Sequence, residues 1–195
     1  MNISFGAKLV DTTSIMTLTH PDARDYKDCN VSIVELSRFD RNDWQTVEDT
    51  AKKYSSYDTK STNYAQNIRF FFDNVFKNPK QRKNELYYAM TLQQDKFEKL
   101  DHEKVLALME TLTDKAIYDH NPSIEYLQVS PSTNHEAKSI TNPRLYRNIG
   151  SKMVNFAKKL FEGKEIYVVA DYNSIDFYLK NGFKKVRGNL LKFCG

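Results

Sequence analysis

The chain has 195 residues, of which 40% are hydrophobic and 28% charged, and its 29 basic and 25 acidic side chains give a formal net charge of +4. This length and composition suit one soluble domain, or a core of about 150 residues with an extension. No apolar run approaches the roughly 18 to 20 residues of a membrane-spanning helix. The N-terminus also lacks the basic and apolar regions of a secretory signal. We therefore expect a cytoplasmic protein with no membrane partner.

Cysteine and histidine are sparse and scattered along the chain. Cys29 and Cys194 are far apart, and neither has a second cysteine at metal-ligand spacing. The four histidines lie in polar surroundings without an HExxH pattern. The sequence therefore predicts neither a disulfide framework nor a metal site.

The excess positive charge lies in the last quarter of the chain. Residues 150–195 contain 9 Lys and Arg against 4 Asp and Glu, which leaves 20 basic and 21 acidic residues in the rest. Such a region can attract a polyanion, either a phosphorylated small ligand or a nucleic acid. Because no continuous basic tract is present, the small ligand is favoured and a nucleic-acid partner is not expected.

The N-terminal part of the chain begins with a segment of weak periodicity. Residues 1–30 are predicted to form an extension of unknown role that contains at most one edge strand. The β-branched residues of Val31–Leu36 predict a strand. Either Asp40 or Asn42 offers an N-cap for a following helix. The apolar face of that helix would consist of Trp44, Val47, Ala51 and Tyr54.

The middle of the chain combines a second predicted helix with three strands. The helix has a dense apolar stripe formed by Ile68, Phe71, Phe72, Val75 and Phe76. Leu86–Leu92 and Val105–Leu112 are predicted as paired strands, although the second run alone also suits a short helix. After a break at Asn121 and Pro122, Ile124–Val129 predicts a further strand, which a long polar loop at 131–144 follows.

The last third of the chain alternates between helices and strands. A helix from Asn148 would place Ile149, Met153, Phe156, Ala157 and Leu160 on one face, with Gly163 beyond its end. Next come a strand (Glu165–Ala170), a short helix (Ser174–Asn181) and a hairpin (Phe183–Arg187 and Leu190–Phe193). This order predicts an α/β (α+β) domain over 31–195, in which one mixed sheet carries helices on its faces.

Gly150 lies where a predicted loop enters a helix. The first N–H groups of a helix are unpaired and its dipole is positive there, so such a turn can bind phosphate. Arg144, Arg147 and Lys152 flank the turn and can add charge-assisted hydrogen bonds. Taken alone, the same residues also suit an ordinary turn into a helix.

Two motifs of the second half together resemble the GCN5-related N-acetyltransferase (GNAT) superfamily. IEYLQVSP is followed by YRNIGSKMVNFAKKL, by IYVVAD and by FYLKNGF. The family has a phosphate loop of the form Q/R-x-x-G-x-G/A at a helix start, and later an F-Y-x-K-x-G-F pattern. The resemblance covers about residues 121–187, and the elements from residue 31 are compatible with it. It implies a GNAT-like, largely antiparallel central sheet flanked by helices, with a V-shaped opening between the family's fourth and fifth strands.

The phosphate loop departs from the family pattern in either of two registers. If Asn148 and Gly150 align with the two glycines, Leu145 takes the Gln/Arg position. Asparagine is the non-glycine residue that best tolerates a left-handed backbone, so this loop can still form. The alternative register keeps Arg147 and Gly150 but places Lys152 at the last small position. Which arginine helps to bind pyrophosphate therefore stays open.

The resemblance implies acetyl-CoA as the acyl donor and no metal. In the family the pantetheine pairs with the backbone of the fourth strand, and the pyrophosphate meets the loop. The implied cofactor-binding residues are Leu127, Gln128, Val129, Arg144, Arg147, Asn148, Ile149, Gly150, Ser151, Lys152, Asn173 and Tyr178.

The resemblance also implies catalytic residues. Tyr178 matches the tyrosine that in many members lies near the thiolate as its general acid, a task that suits a phenol at neutral pH. Its alternative role is that of a packing aromatic beside Phe177. Glu125 on the fourth strand is the first candidate for the general base and Glu35 the second, although surface glutamates are usually just solvated.

The function implied by the resemblance is an acyltransferase reaction. An acetyl group would move from acetyl-CoA to a primary amine, on a small molecule or a protein, by direct attack in a ternary complex. The alternative is a catalytically degenerate GNAT-fold protein that serves as an acyl-CoA-binding or protein-interaction module. Tyr57 and Tyr64, in or beside a polar connector, are candidates for contacting the acceptor. The acceptor's identity and the assembly, monomer or homodimer, stay open.

Overall fold

One β-sheet organises the residues that the computed structural model describes, which are 6–20, 25–37, 39–55, 84–131 and 145–195. Its nine strands are β1 (Lys8–Leu18), β2 (Tyr26–Leu36), β3 (Glu85–Thr91), β4 (Val105–Lys115), β5 (Asn121–Val129), β6 (Tyr146–Arg147), β7 (Ile166–Val169), β8 (Lys184–Arg187) and β9 (Leu190–Phe193). Their spatial order is β6-β1-β2-β3-β4-β5-β7-β9-β8. Among these strands β5 and β7 pair in parallel, and the other neighbours are antiparallel.

Helices lie on both faces of this sheet. The described part of the chain contains α1 (Arg41–Ser55), α2 (Ile149–Leu160) and α3 (Ile175–Lys180). On one face, strand residues and α2 form a core that includes Met109, Ile149 and Met153. On the other face, Val47 and Tyr54 of α1 pack in a second core. The predicted fold class, a largely antiparallel sheet flanked by helices, is therefore confirmed.

The start of α1 distinguishes between its two candidate caps. Oδ1 of Asp40 accepts hydrogen bonds from the N–H groups of Asn42 at 2.7 Å and Asp43 at 3.3 Å. Asp40 is thus the N-cap, since its side chain takes up donors that have no partner within the helix. Val47 and Tyr54, predicted for the apolar face, are both fully buried.

The N-terminal strand is longer than the sequence indicated. β1 pairs with β2 from Lys8 opposite Glu35 to Leu18 opposite Tyr26. The hairpin crosses the boundary expected at residue 31, so the sheet begins at Lys8 rather than at Val31. The pairing also extends the predicted strand Val31–Leu36 back to Tyr26, because polar residues of β2 gain hydrogen-bonding partners in β1.

The two predicted central strands are confirmed as β3 and β4. The helix alternative for Val105–Leu112 is wrong, since this run lies in an antiparallel strand between β3 and β5. It is buried along most of its length, and a strand covered on both faces has a continuous apolar run rather than an alternating one. The predicted helix with Ile68 and its neighbours lies outside the described residues, as do Tyr57, Tyr64 and 132–144.

Strand β5 begins before the position expected from its proline. Pro122 lies inside the strand, at an irregularity where the register shifts between Leu112 opposite Ser123 and Lys115 opposite Asn121. Proline lacks an N–H group, and a bulge is one of the few places in a sheet that tolerate it. The predicted helix at Asn148, the strand after it and the C-terminal hairpin are confirmed, with Gly188 at a φ of 56° in the hairpin turn.

Candidate functional site: an opening between two parallel strands

Strands β5 and β7 separate soon after they meet. Their parallel ladder consists of Ser123 opposite Tyr167 and Ile124 opposite Val168, whereas β5 continues to Val129. Among the described residues the ladder with β7 ends at Ile124, and we call the β7 side of β5 from Glu125 to Val129 the opening.

The backbone of β5 presents hydrogen-bonding groups to this opening. The Ser130 N–H donates to the Leu106 carbonyl of β4 at 2.7 Å. Since successive residues of a strand direct their N–H and C=O groups to opposite sides, the groups of Leu127 and Val129 point away from β4. The Val129 carbonyl also accepts a hydrogen bond from Nε2 of the Gln128 side chain at 3.1 Å. An extended ligand with amide groups can therefore pair with this edge.

A β-bulge accounts for the separation of the strands. Glu110 and Thr111 are consecutive in β4, but their partners in β5 are Tyr126 and Ile124. Glu125 is the extra residue between those partners. A bulge bends the strand that contains it, and this one comes directly after the last residue that pairs with β7.

The N-terminus of α2 lies at the mouth of the opening. A Cβ added to Gly150 would lie 3.0 Å from Cζ of Phe177 and 3.6 Å from Cγ1 of Val129. Asn148 precedes the helix with φ 69° and ψ 7°, which is the left-handed conformation. The structure thus brings the end of β5, the glycine turn and α3 together.

The first turn of α2 has backbone donors that lack an acceptor within the helix. The first hydrogen bond of α2 runs from the Lys152 N–H to the Asn148 carbonyl at 2.9 Å. The N–H groups of Ile149, Gly150 and Ser151 precede it and have no acceptor within the helix. Together with the positive end of the helix dipole they can bind an anionic group such as pyrophosphate.

The basic residues near the turn differ in where they lie. Cζ of Arg147 is 3.6 Å from the ring centroid of Tyr26, and Arg147 pairs with Met16 of β1. Its guanidinium is therefore stacked against the β1–β2 hairpin. Lys152 is half-buried in the first turn of α2. Arg144 lies outside the described residues.

Tyr178 of α3 is buried in an aromatic cluster. Only 6% of its surface is exposed, and its ring meets those of Phe177 and Phe183 edge to face at centroid distances of 5.0 and 5.4 Å. Burial raises the pKa of Tyr178 above its ordinary value. The phenol therefore keeps its proton at neutral pH. Asn173, on the turn before α3, is exposed.

The two candidate bases have different surroundings. Nζ of Lys115 lies 2.6 and 2.7 Å from the two carboxylate oxygens of Glu125, and the Ser123 hydroxyl donates to Oε1 at 2.5 Å. Glu35 lies in the row formed by Tyr88, Met109 and Leu127 on successive strands. At about 4.8 Å per strand it is about 14 Å from Leu127. The structure therefore places Glu125 beside the opening and Glu35 away from it.

Some residues of this region had no signal in the sequence. Lys115 and Ser123 belong to no motif, and their contact with Glu125 depends on strand pairing. Tyr126, next to the bulge, is opposite Glu110 on β4. Burial raises the pKa of Tyr126 well above its ordinary value, and Tyr54 and Glu110 add to the increase. The approach of Phe177 to Gly150 joins the two predicted motifs, since each motif supplies one of the partners.

The described residues were compared with the requirements of a metal site and of a membrane-spanning helix. Within the described ranges, no group of three His, Cys, Asp or Glu side chains is placed to hold a metal ion. None of the helices described above has both the length and the apolar content that crossing a bilayer requires.

Comparison of the chain with known proteins finds similar solved structures but no similar curated sequences. No protein-family model matches the chain, and no curated protein sequence does. The chain is similar to an aminoglycoside acetyltransferase from an uncultured soil metagenomic sample, solved with trehalose, at 15% identity and a TM-score of 0.45 over 77% of this chain and 86% of that chain. It is also similar to the catalytic domain of the Tetrahymena GCN5 histone acetyltransferase, solved with coenzyme A, at 12% identity and a TM-score of 0.42 over 84% and 90%. At these values neither likeness carries an argument about function.

Proposed function

We propose that the protein is an acetyl-CoA-dependent N-acetyltransferase that transfers an acetyl group to a primary amine in a ternary complex. The observation that carries this proposal is the opening between β5 and β7, which has the start of α2 at its mouth. The outward backbone groups of Leu127 and Val129 suit the amides of pantetheine. The N–H groups of the first turn of α2, which have no acceptor within the helix, suit the pyrophosphate.

The charges and the backbone of the turn support an anionic donor. Asn148 already has the left-handed conformation that the family's first glycine would supply. Lys152 lies in the first turn of α2, and the last quarter of the chain has more basic than acidic residues. Arg147 would have to leave its position over Tyr26 to reach the ligand by its side chain.

The proposed reaction needs a proton donor and a proton acceptor. The amine nitrogen attacks the thioester carbonyl carbon, and the C–S bond breaks as the tetrahedral intermediate collapses. Tyr178 then gives its proton to the departing thiolate, the role that the family's tyrosine implies. Its phenol is protonated at neutral pH, although burial, by raising the pKa of Tyr178, also makes it a weaker acid. Glu125 stays the proposed acceptor of the amine proton by position. However, Lys115 and Ser123 already bind its oxygens.

That engagement of Glu125 favours a second candidate function. If the carboxylate never leaves Lys115, the chain can bind acyl-CoA without a side chain to accept the amine proton. The protein would then be a catalytically degenerate binding or interaction module. Saturable binding of acetyl-CoA, without thioester cleavage over a broad panel of amines, is the result that this candidate predicts.

A calorimetric titration with acetyl-CoA tests the proposal. We expect the wild-type protein to bind at micromolar concentration and Gly150→Trp to lose binding, because the indole would fill the turn. Asn155→Trp is the matched control, since Asn155 is exposed on the same helix. If Gly150→Trp does not fold in a thermal melt, the charge reversal Lys152→Glu replaces it and should weaken binding. Absence of binding by the wild type would contradict the proposed function.

A further inference from the structure

We propose that Lys115 and Ser123 are positioning residues, which hold Glu125 in the β-bulge and so set the width of the opening. This inference rests on the proposed function, because the opening is the site assigned to the donor. Nζ of Lys115 lies 2.6 and 2.7 Å from the two oxygens of Glu125. The side chains of Lys115 and Glu125 are 20% and 23% exposed, so solvent screens this pair less than a fully exposed one.

Lys115, Ser123 and Glu125 lie on the two strands that pair at the bulge. Lys115 is the last residue of β4, and Ser123 pairs with Tyr167 of β7. The Ser123 hydroxyl donates to Glu125 at 2.5 Å. A residue that still pairs with β7 therefore binds the extra residue of the bulge. We call Lys115, Ser123 and Glu125 the bulge clamp.

Aromatic contacts continue the clamp to β7. Nζ of Lys115 is 5.0 Å from the ring centroid of Tyr118. The Tyr118 ring stacks on that of Tyr167 at 4.7 Å with an interplanar angle of 12°. The Tyr167 hydroxyl donates to Glu165 at 2.7 Å. On the paired side of the split, β4, β5 and β7 are thus joined by side chains as well as by the backbone.

The position of the clamp explains why the strands separate at one residue. On the N-terminal side of Ile124 the backbone ladder holds β5 against β7, and the Tyr118–Tyr167 stack holds the turn before β5 against β7. Directly after Ile124, the extra residue Glu125 bends β5 away from β7. The ammonium group of Lys115 holds Glu125 in place by its charge. If one partner is removed, the other loses its charge-assisted hydrogen bonds. The bulge must then relax, and the edge formed by Leu127 and Val129 must shift with it.

The clamp and the general-base role make different predictions for Glu125. A base exchanges protons with the acceptor, so its loss would reduce turnover and leave donor binding unchanged. A positioning residue shapes the edge that binds the donor, so its loss weakens donor binding. Lys115 separates the two roles most clearly, because it has no part in accepting a proton.

Calorimetry on clamp variants tests the inference. We expect Lys115→Met and Glu125→Gln each to raise the acetyl-CoA dissociation constant about tenfold, and the double variant to be no weaker than either single one, because the partners act as a unit. Lys115→Arg should retain affinity. Lys159→Met is the control, since it breaks an ion pair with Asp11 that is remote from the bulge. The proposal would be overturned if the dissociation constants of both single variants lay within twofold of the wild-type value. It would also be overturned if Glu125→Gln bound acetyl-CoA normally but lost turnover.

Amide hydrogen exchange in the ligand-free protein tests the clamp separately. The amides of Tyr126 and Gln128, which face β4, should exchange about tenfold faster in Lys115→Met than in wild type, because the bent edge loses its anchor. Lys159→Met should leave these amides unchanged. Unaltered exchange in Lys115→Met would refute the clamp even if acetyl-CoA does not bind. Failure of wild-type binding alone would instead refute the proposed function.

Discussion

Gly150 faces Phe177 so closely that a Cβ at position 150 would lie 3.0 Å from Cζ and 3.1 Å from Cε2 of the ring. The first turn of α2 can approach α3 in this way because glycine has no side chain. The contact therefore fixes the mouth of the opening, where the proposed phosphate turn and the helix that carries Tyr178 meet.

This contact predicts opposite effects of one substitution in two backgrounds. Gly150→Ala should lower the free energy of unfolding by about 1 kcal/mol, because the overpacking outweighs the gain in helix propensity. With Phe177→Leu in place, the same change should raise it by about 1 kcal/mol, since the clash is relieved. Urea unfolding of the four proteins measures both values. Equal effects in the two backgrounds would mean that the ring moves aside without cost.

The left-handed backbone of Asn148 gives a second prediction. Its side chain makes no capping hydrogen bond, so its role at φ 69° is conformational. Asn148→Gly should therefore be as stable as wild type or more so, and Asn148→Ala should lose about 1 kcal/mol. Thermal unfolding of the two variants gives the comparison. Equal stability of alanine and glycine at this position would be the contrary result.

Asp43 is a buried acid whose charge depends on pH near neutrality. Its side chain is fully buried, and Oδ2 accepts a hydrogen bond from the Ser37 N–H at 2.7 Å. Burial raises the pKa of Asp43 to about 7, and the neighbouring Asp40 adds to the increase. In the unfolded chain the pKa of an aspartate is about 3.9.

The native protein thus keeps this proton up to a higher pH than the unfolded chain does. The contribution of protonated Asp43 to the free energy of unfolding is fully present below the pKa of aspartate in the unfolded chain. It is lost as the pH rises through the native pKa of about 7. We expect the free energy of unfolding to fall by about 2 to 3 kcal/mol between pH 5 and pH 8 from this group. Asp43→Asn should remove that decline, whereas the control Asp49→Asn on the same helix should keep it, because the pKa of Asp49 is lowered rather than raised. Urea unfolding at the two pH values would contradict this assignment if Asp43→Asn retained the slope.

Tyr178→Phe separates catalysis from packing at one position. The ring would keep its contacts with Phe177 and Phe183, so stability and acetyl-CoA affinity should stay close to those of wild type. Turnover with an accepted amine should fall about a hundredfold, because the thiolate loses its proton donor. Steady-state kinetics together with calorimetry gives the two quantities. Unchanged turnover would leave Tyr178 with only the packing role.

Local patterns were sufficient to predict most of the elements. Alternating and helical periodicities, together with turn residues such as those at Gly188, predicted α2, the strand after it and the C-terminal hairpin. The residue type of Asn148 indicated that this position tolerates the left-handed conformation that the structure shows. These features depend on interactions within a few residues, so the sequence contains their signal directly.

Tertiary structure alone decided what lies around the opening. The extra residue at Glu125, its ion pair with Lys115 and the position of Arg147 over Tyr26 all depend on strand register. So does the separation of Glu35 from Leu127, two residues that the motif analysis treated as parts of one site. Register is set by pairing between distant segments, and a shift of one residue exchanges the two faces of a strand. The sequence by itself determined most of the described elements after residue 31 and the glycine turn, whereas the N-terminal hairpin, the path of β5 and the partners of its carboxylate arose only when the strands were paired.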